Sequence, residues 1–394
     1  MTKYDFITAP NRKGQGASKW LQMYGWNPDV DEDVIPLSVA DMELKNPPEV
    51  VEGLKKYLDE VVLGYSKAYP EYNEAVKSWM KRRHNYEIKD EWLVQTPGIV
   101  NAFTAGVRAF TEEGDGIIIS RPIYYPMGIA IENSNLTEVN VPLLNNNGVY
   151  TMDFEGLEKA CADPKNKVML FCSPHNPTGR VWTKEELKRM GDICVKHGVV
   201  IISDEIWNDL IMPGYEHTVL STISPEIADI TITCVAPSKT FNLAGMATSN
   251  MIIENEEIRK KFVRELELMR SLSINTLGFK ACEIAYNECE EWLEELIVLL
   301  DENRQMCVDF FEARGLTVTR TEGTYLVWVN CEPLGMSVEE LEEFLHKDAQ
   351  FFTDEGYVFG EEGNYYERIN IAAPKEVLKT QLDKLDAALK KIGK

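Results

Sequence analysis

The sequence predicts an α/β protein: a mainly parallel central sheet flanked by helices, joined to a smaller α+β domain. Three observations carry this. Short apolar runs recur without polar alternation, as in Gly116-Ile-Ile-Ile-Ser120, Val168-Met-Leu-Phe-Cys172, Val199-Val-Ile-Ile202 and Ile230-Thr-Ile-Thr-Cys-Val235, which is the pattern of strands covered on both faces. Helix-period stretches separate them, giving a β-α-β alternation through about residue 254. The length, 394 residues with 44% hydrophobic, exceeds one ordinary core and suits one large plus one small domain.

In chain order, residues 1–45 are mixed and aperiodic, and Trp20 and Trp26 suggest an arm that docks on something. Pro47-Pro48 opens a helix from Glu49 to about Val62, with proline well placed in the first turn, and Gly64-Tyr65 ends it. Gln95-Thr-Pro-Gly-Ile-Val-Asn101 leads into an Ala-rich helix, roughly Val100 to Thr111. Strands follow at 116–120, 136–142 and 168–173, and Thr183-x-x-Glu186 is a capping box for a helix to about His197. Glu256 to about Ser271 and Leu277 to about Arg314 read as long amphipathic helices with residues 273–276 as a loop between them. Gly315–Arg320, Thr324–Val329 and Glu367–Ile371 read as strands of the smaller domain, Ser337-x-x-Glu340 caps another helix, and Lys375–Lys391 closes the chain as an amphipathic helix. There are no repeats or low-complexity tracts.

The net charge of −23, without a basic tract, argues against nucleic acid and anionic membrane surfaces as partners. No apolar run approaches the ~18 residues of a membrane span, and the N-terminus shows no cleavable leader. The eight cysteines show no C-x-x-C pairing, as expected of buried free thiols in a reducing cytoplasm. The five histidines show no metal-ligand spacing, so no metal is expected.

Chemistry concentrates after the apolar runs. Lys239, in Ala236-Pro-Ser-Lys-Thr-Phe-Asn-Leu-Ala-Gly245, follows the run ending at Val235. A lysine held against apolar surroundings loses hydration, which lowers its pKa and makes its amine a nucleophile. Such an amine forms a Schiff base with an aldehyde, either a carbonyl substrate or pyridoxal phosphate (PLP). Asp204 ends the run from Val199, at the carboxyl edge where open α/β sheets bind ligands, and can keep a pyridine nitrogen protonated. Asn176 stands between two prolines in Ser173-Pro-His-Asn-Pro-Thr-Gly179 and can donate its amide to a phenolic oxygen. Singly, each is more often a surface charge, a cap or a turn residue; three in this order, each after its own strand, are specific. Gly98 before a helix start permits close backbone approach to an anion.

With these residues in place, the chain resembles the fold-type I PLP enzymes of the aminotransferase class I/II superfamily, and within it the cystathionine β-lyase-like C–S lyases. The resemblance runs through Ser38-Val-Ala-Asp-Met42, Leu63-Gly-Tyr65, Ile123-Tyr-Tyr-Pro126, Phe171–Val181, Ser203-Asp-Glu-Ile206, Ala236–Asn242, Glu322-Gly-Thr-Tyr-Leu326 and Arg368–Pro374. It implies a large PLP-binding domain at 46–285, an N-terminal arm contributing to the small domain at 1–45, and the rest of the small domain at 286–394. It implies that Lys239 carries PLP, that Asp204 and Asn176 meet its ring, and that Gly98, Ile99, Val100 and Ser238 cradle its phosphate. Tyr124 would stack on the ring, Tyr125 would serve as a polar or acid/base group toward the substrate, and Arg368 would pair with the substrate carboxylate. Tyr65 would reach the phosphate of a neighbouring subunit's cofactor, hence a homodimer with shared sites, the arm crossing to the partner.

The implied activity is a C–S β-lyase acting on L-cysteine, cystathionine or related S-conjugates. Transamination on the same apparatus is the alternative, and a regulatory protein-binding role a third. Departures from the pattern include Leu21, Pro97, Asn101, Met127-Gly128, Ala236 and the 273–276 loop. Trp207, which the resemblance puts at the cofactor, stands where relatives generally carry Tyr or His, and an indole donates but does not accept a proton. The arginine that many aminotransferases carry shortly after the lysine is missing, as in the lyase branch.

Overall fold

A computed structural model describes residues 3–394. The strands are β1 (Leu93–Thr96), β2 (Gly116–Ile119), β3 (Thr137–Asn140), β4 (Leu144–Asn146), β5 (Val149–Thr151), β6 (Asn166–Cys172) and β7 (Val200–Asp204). They continue with β8 (Thr231–Val235), β9 (Ser249–Ile252), β10 (Thr317–Val318), β11 (Leu326–Asn330), β12 (Asp354–Glu355) and β13 (Tyr366–Asn370). Seven of them form one sheet in the order β1-β9-β8-β7-β6-β2-β3. The neighbours from β8 through β3 run parallel, and only β9 is antiparallel, to both β8 and β1. The mainly parallel sheet expected from the apolar runs is present, and strands β2, β7 and β8 carry almost uninterrupted buried residues.

Register decides which strand ends meet. Cys172 of β6, Asp204 of β7 and Cys234 of β8 share one row. Thr96 pairs with Ser249 and Val235 with Asn250, so β1 and β8 finish one residue apart across β9. The segments after β1, β6, β7 and β8 therefore leave the sheet at one edge.

Helices cover the sheet. Glu256–Leu268 packs on Ile99–Ala109, and Thr276–Glu288 packs on Pro48–Glu60 and Pro70–His84. Thr183 and Glu186 close a capping box on Lys184–His197, which ends at Gly198 with φ +68°, a conformation glycine adopts without a Cβ penalty. The second sheet is antiparallel, β10-β11-β13-β12, and the segment before residue 40 joins it. The Leu37 N–H donates to Phe352 O and the Asn370 N–H to Leu37 O, both at 2.8 Å.

Several expectations are corrected. The helix expected over 277–314 is two, Thr276–Glu288 and Glu290–Glu312, broken at Cys289. No proline or glycine marks the break. It lets the first half pack on the helices after residue 48 and the second on Lys375–Lys391. The arm is not aperiodic throughout: Ser18–Trp26 is helical, and Trp20 and Met23 pack with Val34 and Phe352. At its start Phe6 lies 5.3 Å from the ring of Trp292 and the Lys3 N–H donates to Glu295. The helix Pro70–His84, the strands β1, β9 and β12, and the hairpin β4–β5 were not anticipated.

Candidate active site

Lys239 lies in a one-turn helix, Pro237–Thr240, directly after β8. Its half-buried side chain donates from Nζ to the carbonyl of Ala40 at 2.7 Å and faces the indole of Trp207, 5.4 Å from the ring centroid. Burial, and then the charge of Arg368, lower the Lys239 amine to about 8. Trp207 opposes this, since an aromatic face favours a cation. Trp207 is itself fixed edge-on against Tyr325 at 4.7 Å, and Tyr325 Oη donates to the same Ala40 carbonyl at 2.9 Å.

The turn bearing Lys239 is anchored from behind. Thr240 Oγ1 donates to Asp209 at 2.8 Å, and Asp209 also receives Trp79 Nε1 at 3.1 Å and meets His84 Nε2 at 2.8 Å. Burial works against a charged Asp209, but the hydrogen bonds from His84 and Thr240 hold it below the usual carboxylate range. The loop supplying Ala40 is braced as firmly. Asn370 Nδ2 donates to the carbonyls of Val39 and Asp41 at 2.7 and 2.6 Å. Beneath it, Arg12 and the buried Lys19 pair with Asp41 and Glu43.

Asp204 ends β7, fully buried, with one hydrogen bond from the Ile206 N–H at 3.2 Å and no ion pair among the described residues. Burial, only partly offset by the Ile206 N–H and then by Lys239, pushes its carboxyl up to about 7. A buried carboxylate without a cation is costly. Asn176 accepts from Arg368 Nη1 at 2.9 Å through Oδ1, which leaves its Nδ2 free to donate elsewhere. Arg368, buried, also gives Nε and Nη2 to Asp354 Oδ2 at 3.2 and 2.7 Å. Three of the five guanidinium N–H groups are thus committed and two remain. The Val39 N–H donates to the same Asp354 oxygen at 2.9 Å.

Gly98 caps the helix Ile99–Ala109 with φ +91°. Its own N–H is donated to Thr96 O at 2.8 Å, so of Gly98, Ile99 and Val100 it is the last two that supply helix-start N–H groups left for an anion. Ser238 is half-buried in the Lys239 turn. Tyr124, half-buried, lies 5.5 Å from the ring of Tyr125, and burial raises its phenol. Tyr125 is exposed and meets Phe359 edge-on at 6.2 Å. It lines a cavity of about 810 Å³ with Arg121, Asp354 and Tyr357. Lys239, Asp204 and Asn176 do not line that cavity, but Asp354 on its wall holds Arg368, which donates to Asn176. Tyr65 is fully exposed and does not join the other residues within one chain. Asp354, Tyr325, Asn370 and the Ala40 carbonyl were missed by sequence reasoning, although Ala40, Tyr325 and Asn370 fall within stretches it had singled out.

These groups fit PLP. A buried carboxylate lacking a cation suits a pyridinium, an amine of lowered pKa suits an aldehyde, and free amides at a helix start suit a phosphate. The fold and site define the class of fold-type I PLP enzymes. Known proteins agree: the aminotransferase class I and II family model matches residues 32–385, and the chain belongs to that family. It is 35% identical to the cystathionine β-lyase PatB of Bacillus subtilis (strain 168), over 91% of this chain and 93% of that protein. To MalY of Escherichia coli (strain K12) it is 30% identical, over 95% and 96%. Among solved structures, cystalysin from Treponema denticola, which contains PLP, superposes with a TM-score of 0.97 at 50% identity, covering 99% of both chains. The PLP-bound C–S lyase from Staphylococcus hominis gives 0.90 at 32% identity, covering 98% of both.

Proposed function

We propose that this protein is a PLP-dependent carbon–sulfur β-lyase that converts L-cysteine, cystathionine or a related S-conjugate to pyruvate, ammonia and a thiol. The observation that carries the reading is at the sheet edge: Lys239 in the turn directly after β8, and at the end of the neighbouring β7 the buried Asp204, without an ion pair among the described residues. Bound there, PLP supplies the electron sink that lets the substrate α-carbon give up its proton.

Lys239 anchors the cofactor, Asp204 supplies the negative charge against its ring nitrogen, and Asn176 gives Nδ2 to its phenolic oxygen. Ile99, Val100 and Ser238 hold the phosphate, with Gly98 setting the turn. Tyr124 covers the ring. Arg368 binds the substrate α-carboxylate with its two free N–H groups, its plane fixed by Asp354 and Asn176. Nζ of Lys239, once the substrate amine has displaced it from that anchorage, takes the α-proton. The Cβ–S bond then breaks with its electron pair going to sulfur, which leaves as a thiol on protonation, and Tyr125 is placed at the cavity side to give that proton. The remaining three-carbon enamine takes up water to give pyruvate and ammonia.

The domain division at 46–285 against 1–45 with 286–394 is supported by the pairing of Leu37 with Phe352 and Asn370. A homodimer is supported by the exposure of Val62, Leu63 and Tyr65, with Tyr65 and Leu272 lining one surface cleft. A cytoplasmic location is supported by eight free, buried cysteines, and no helix among the described residues is long and apolar enough to cross a membrane.

The test is to supply the PLP-loaded protein with thioether amino acids and no keto acid. Pyruvate and thiol released in equal amounts support the lyase. Turnover only on addition of a keto acid, without thiol, overturns it in favour of transamination.

A further inference from the structure

Away from the lysine, three ligand-bearing side chains converge: Glu342 and Glu355 line the 810 Å³ cavity, and the buried His346 stands behind them. Glu342 is in the helix Val338–Glu343, and His346 in the π-helical turn Phe344–Asp348 that extends it. Their spacing of four residues puts both on one helix face. Glu355 arrives from β12. One ligand atom from each lies within 4.8 Å of the other two.

The contact between His346 and Glu355 is the informative one. His346 Nε2 is 3.0 Å from Glu355 Oε1, yet that oxygen, buried, has no hydrogen-bond partner. The two atoms are close without pointing at each other, which is how neighbouring ligands of one ion stand. At metal–ligand bonds of about 2.0–2.2 Å, tetrahedral ligand atoms lie roughly 3.3 Å apart. Glu355 is 8% exposed and His346 7%, so this carboxylate is desolvated and calls for a cation.

The neighbouring cations are committed elsewhere: Arg368 to Asp354 and Arg121 to Glu138. A further buried carboxylate, Glu367, stands opposite Glu355 across β12 and β13. It is buried as well and accepts a hydrogen bond from Thr353 Oγ1 at 2.6 Å. The ligand set is also held in place. The ring of His346 stacks on Trp26 at 4.5 Å, and Tyr357 Oη donates to Glu342 Oε2 at 3.3 Å.

We propose that Glu342, His346 and Glu355 form a site for one divalent cation of the zinc class, with a further coordination position open to the cavity. One imidazole and two carboxylates are ligands of that class. The proposal revises the expectation of no metal, which rested on histidine spacing and had no view of a glutamate from another element. It is independent of the reaction catalysed at Lys239.

The experiment is a titration of the PLP-loaded, chelator-treated protein with Zn²⁺ against a chromophoric zinc indicator, with metal content measured after dialysis. The result expected is one Zn²⁺ per chain, with affinity falling at least about tenfold in His346→Ala and in Glu355→Gln. Cofactor absorbance and circular dichroism report whether these variants remain folded. Should either buried substitution unfold the chain, Glu342→Gln, at a half-exposed position, gives the same comparison. No stoichiometric Zn²⁺ in the wild type, or the same affinity in the folded variants, overturns the proposal.

Discussion

Replacing Asp204 by asparagine should make the cofactor-free protein more stable and the PLP-loaded protein less active. An aspartate that ordinarily titrates at 3.8 is pushed, chiefly by burial, to about 7 in this fold. At about 1.4 kcal/mol per tenfold change in proton affinity, that gap corresponds to roughly 4 kcal/mol. The folded chain binds this proton more tightly than the unfolded chain. The contribution is therefore whole below about pH 4, declines as pH rises to about 7, and is lost above that. The amide introduced by Asp204→Asn cannot ionise and can still accept the Ile206 N–H. The variant should thus exceed wild type by about 4 kcal/mol at about pH 8 and by under about 2 kcal/mol at about pH 4 to 5, less whatever attraction to Lys239 is given up. Denaturant unfolding of both cofactor-free proteins at the two pH values reads the difference. With PLP bound, the same substitution removes the charge facing the ring nitrogen, and turnover should fall about a hundredfold or more. The reasoning is refuted if cofactor-free Asp204→Asn is no more stable than wild type at about pH 8, or if its advantage is the same near pH 5.

Capture of PLP by the cofactor-free chain requires the neutral amine of Lys239. With that amine lowered to about 8, the second-order rate, corrected for PLP's own titration, should rise through about pH 8 and then level off, whereas a continued rise to about pH 10 would indicate an ordinary lysine. Asp354→Ala removes the acceptor that fixes Arg368 through Nε and Nη2. KM for amino-acid substrates should rise about ten- to a hundredfold, with a smaller change in kcat, as loss of charge-assisted hydrogen bonding implies; steady-state kinetics with KM unchanged would contradict the assignment. Thr183→Ala breaks the capping box on Lys184–His197 and should cost about 1 kcal/mol in denaturant unfolding with turnover preserved.

The residues legible in the sequence were those attached to buried parallel strands. Lys239, Asp204 and Asn176 each follow an apolar run, and the row Cys172, Asp204, Cys234 brings those run ends to one edge. Arg368 was legible only by resemblance, because nothing local separates it from a structural charge. Asp354 belongs to a two-residue strand with no pattern of its own. The Ala40 carbonyl is a backbone atom, and its loop passes through Val39 at φ +53°, a conformation disfavoured for a β-branched residue. The break at Cys289 carries no helix-stop residue, so packing of the two halves against different partners decided it. The helix Pro70–His84 did carry signals, with proline at its start and Lys81, Arg82, Arg83 and His84 in its last turn. Its amphipathic pattern was weaker than those of the segments that were recognised.

Whether the amine of Lys239 bonds the cofactor can be read without any substrate. Borohydride reduction of the PLP-loaded protein fixes a C=N bond in place, and peptide mass analysis then locates the label. One cofactor per chain on the peptide carrying Lys239, and none in Lys239→Ala, is the predicted result. A label on another lysine, or no covalent label in protein that still releases pyruvate from thioether amino acids, would contradict it.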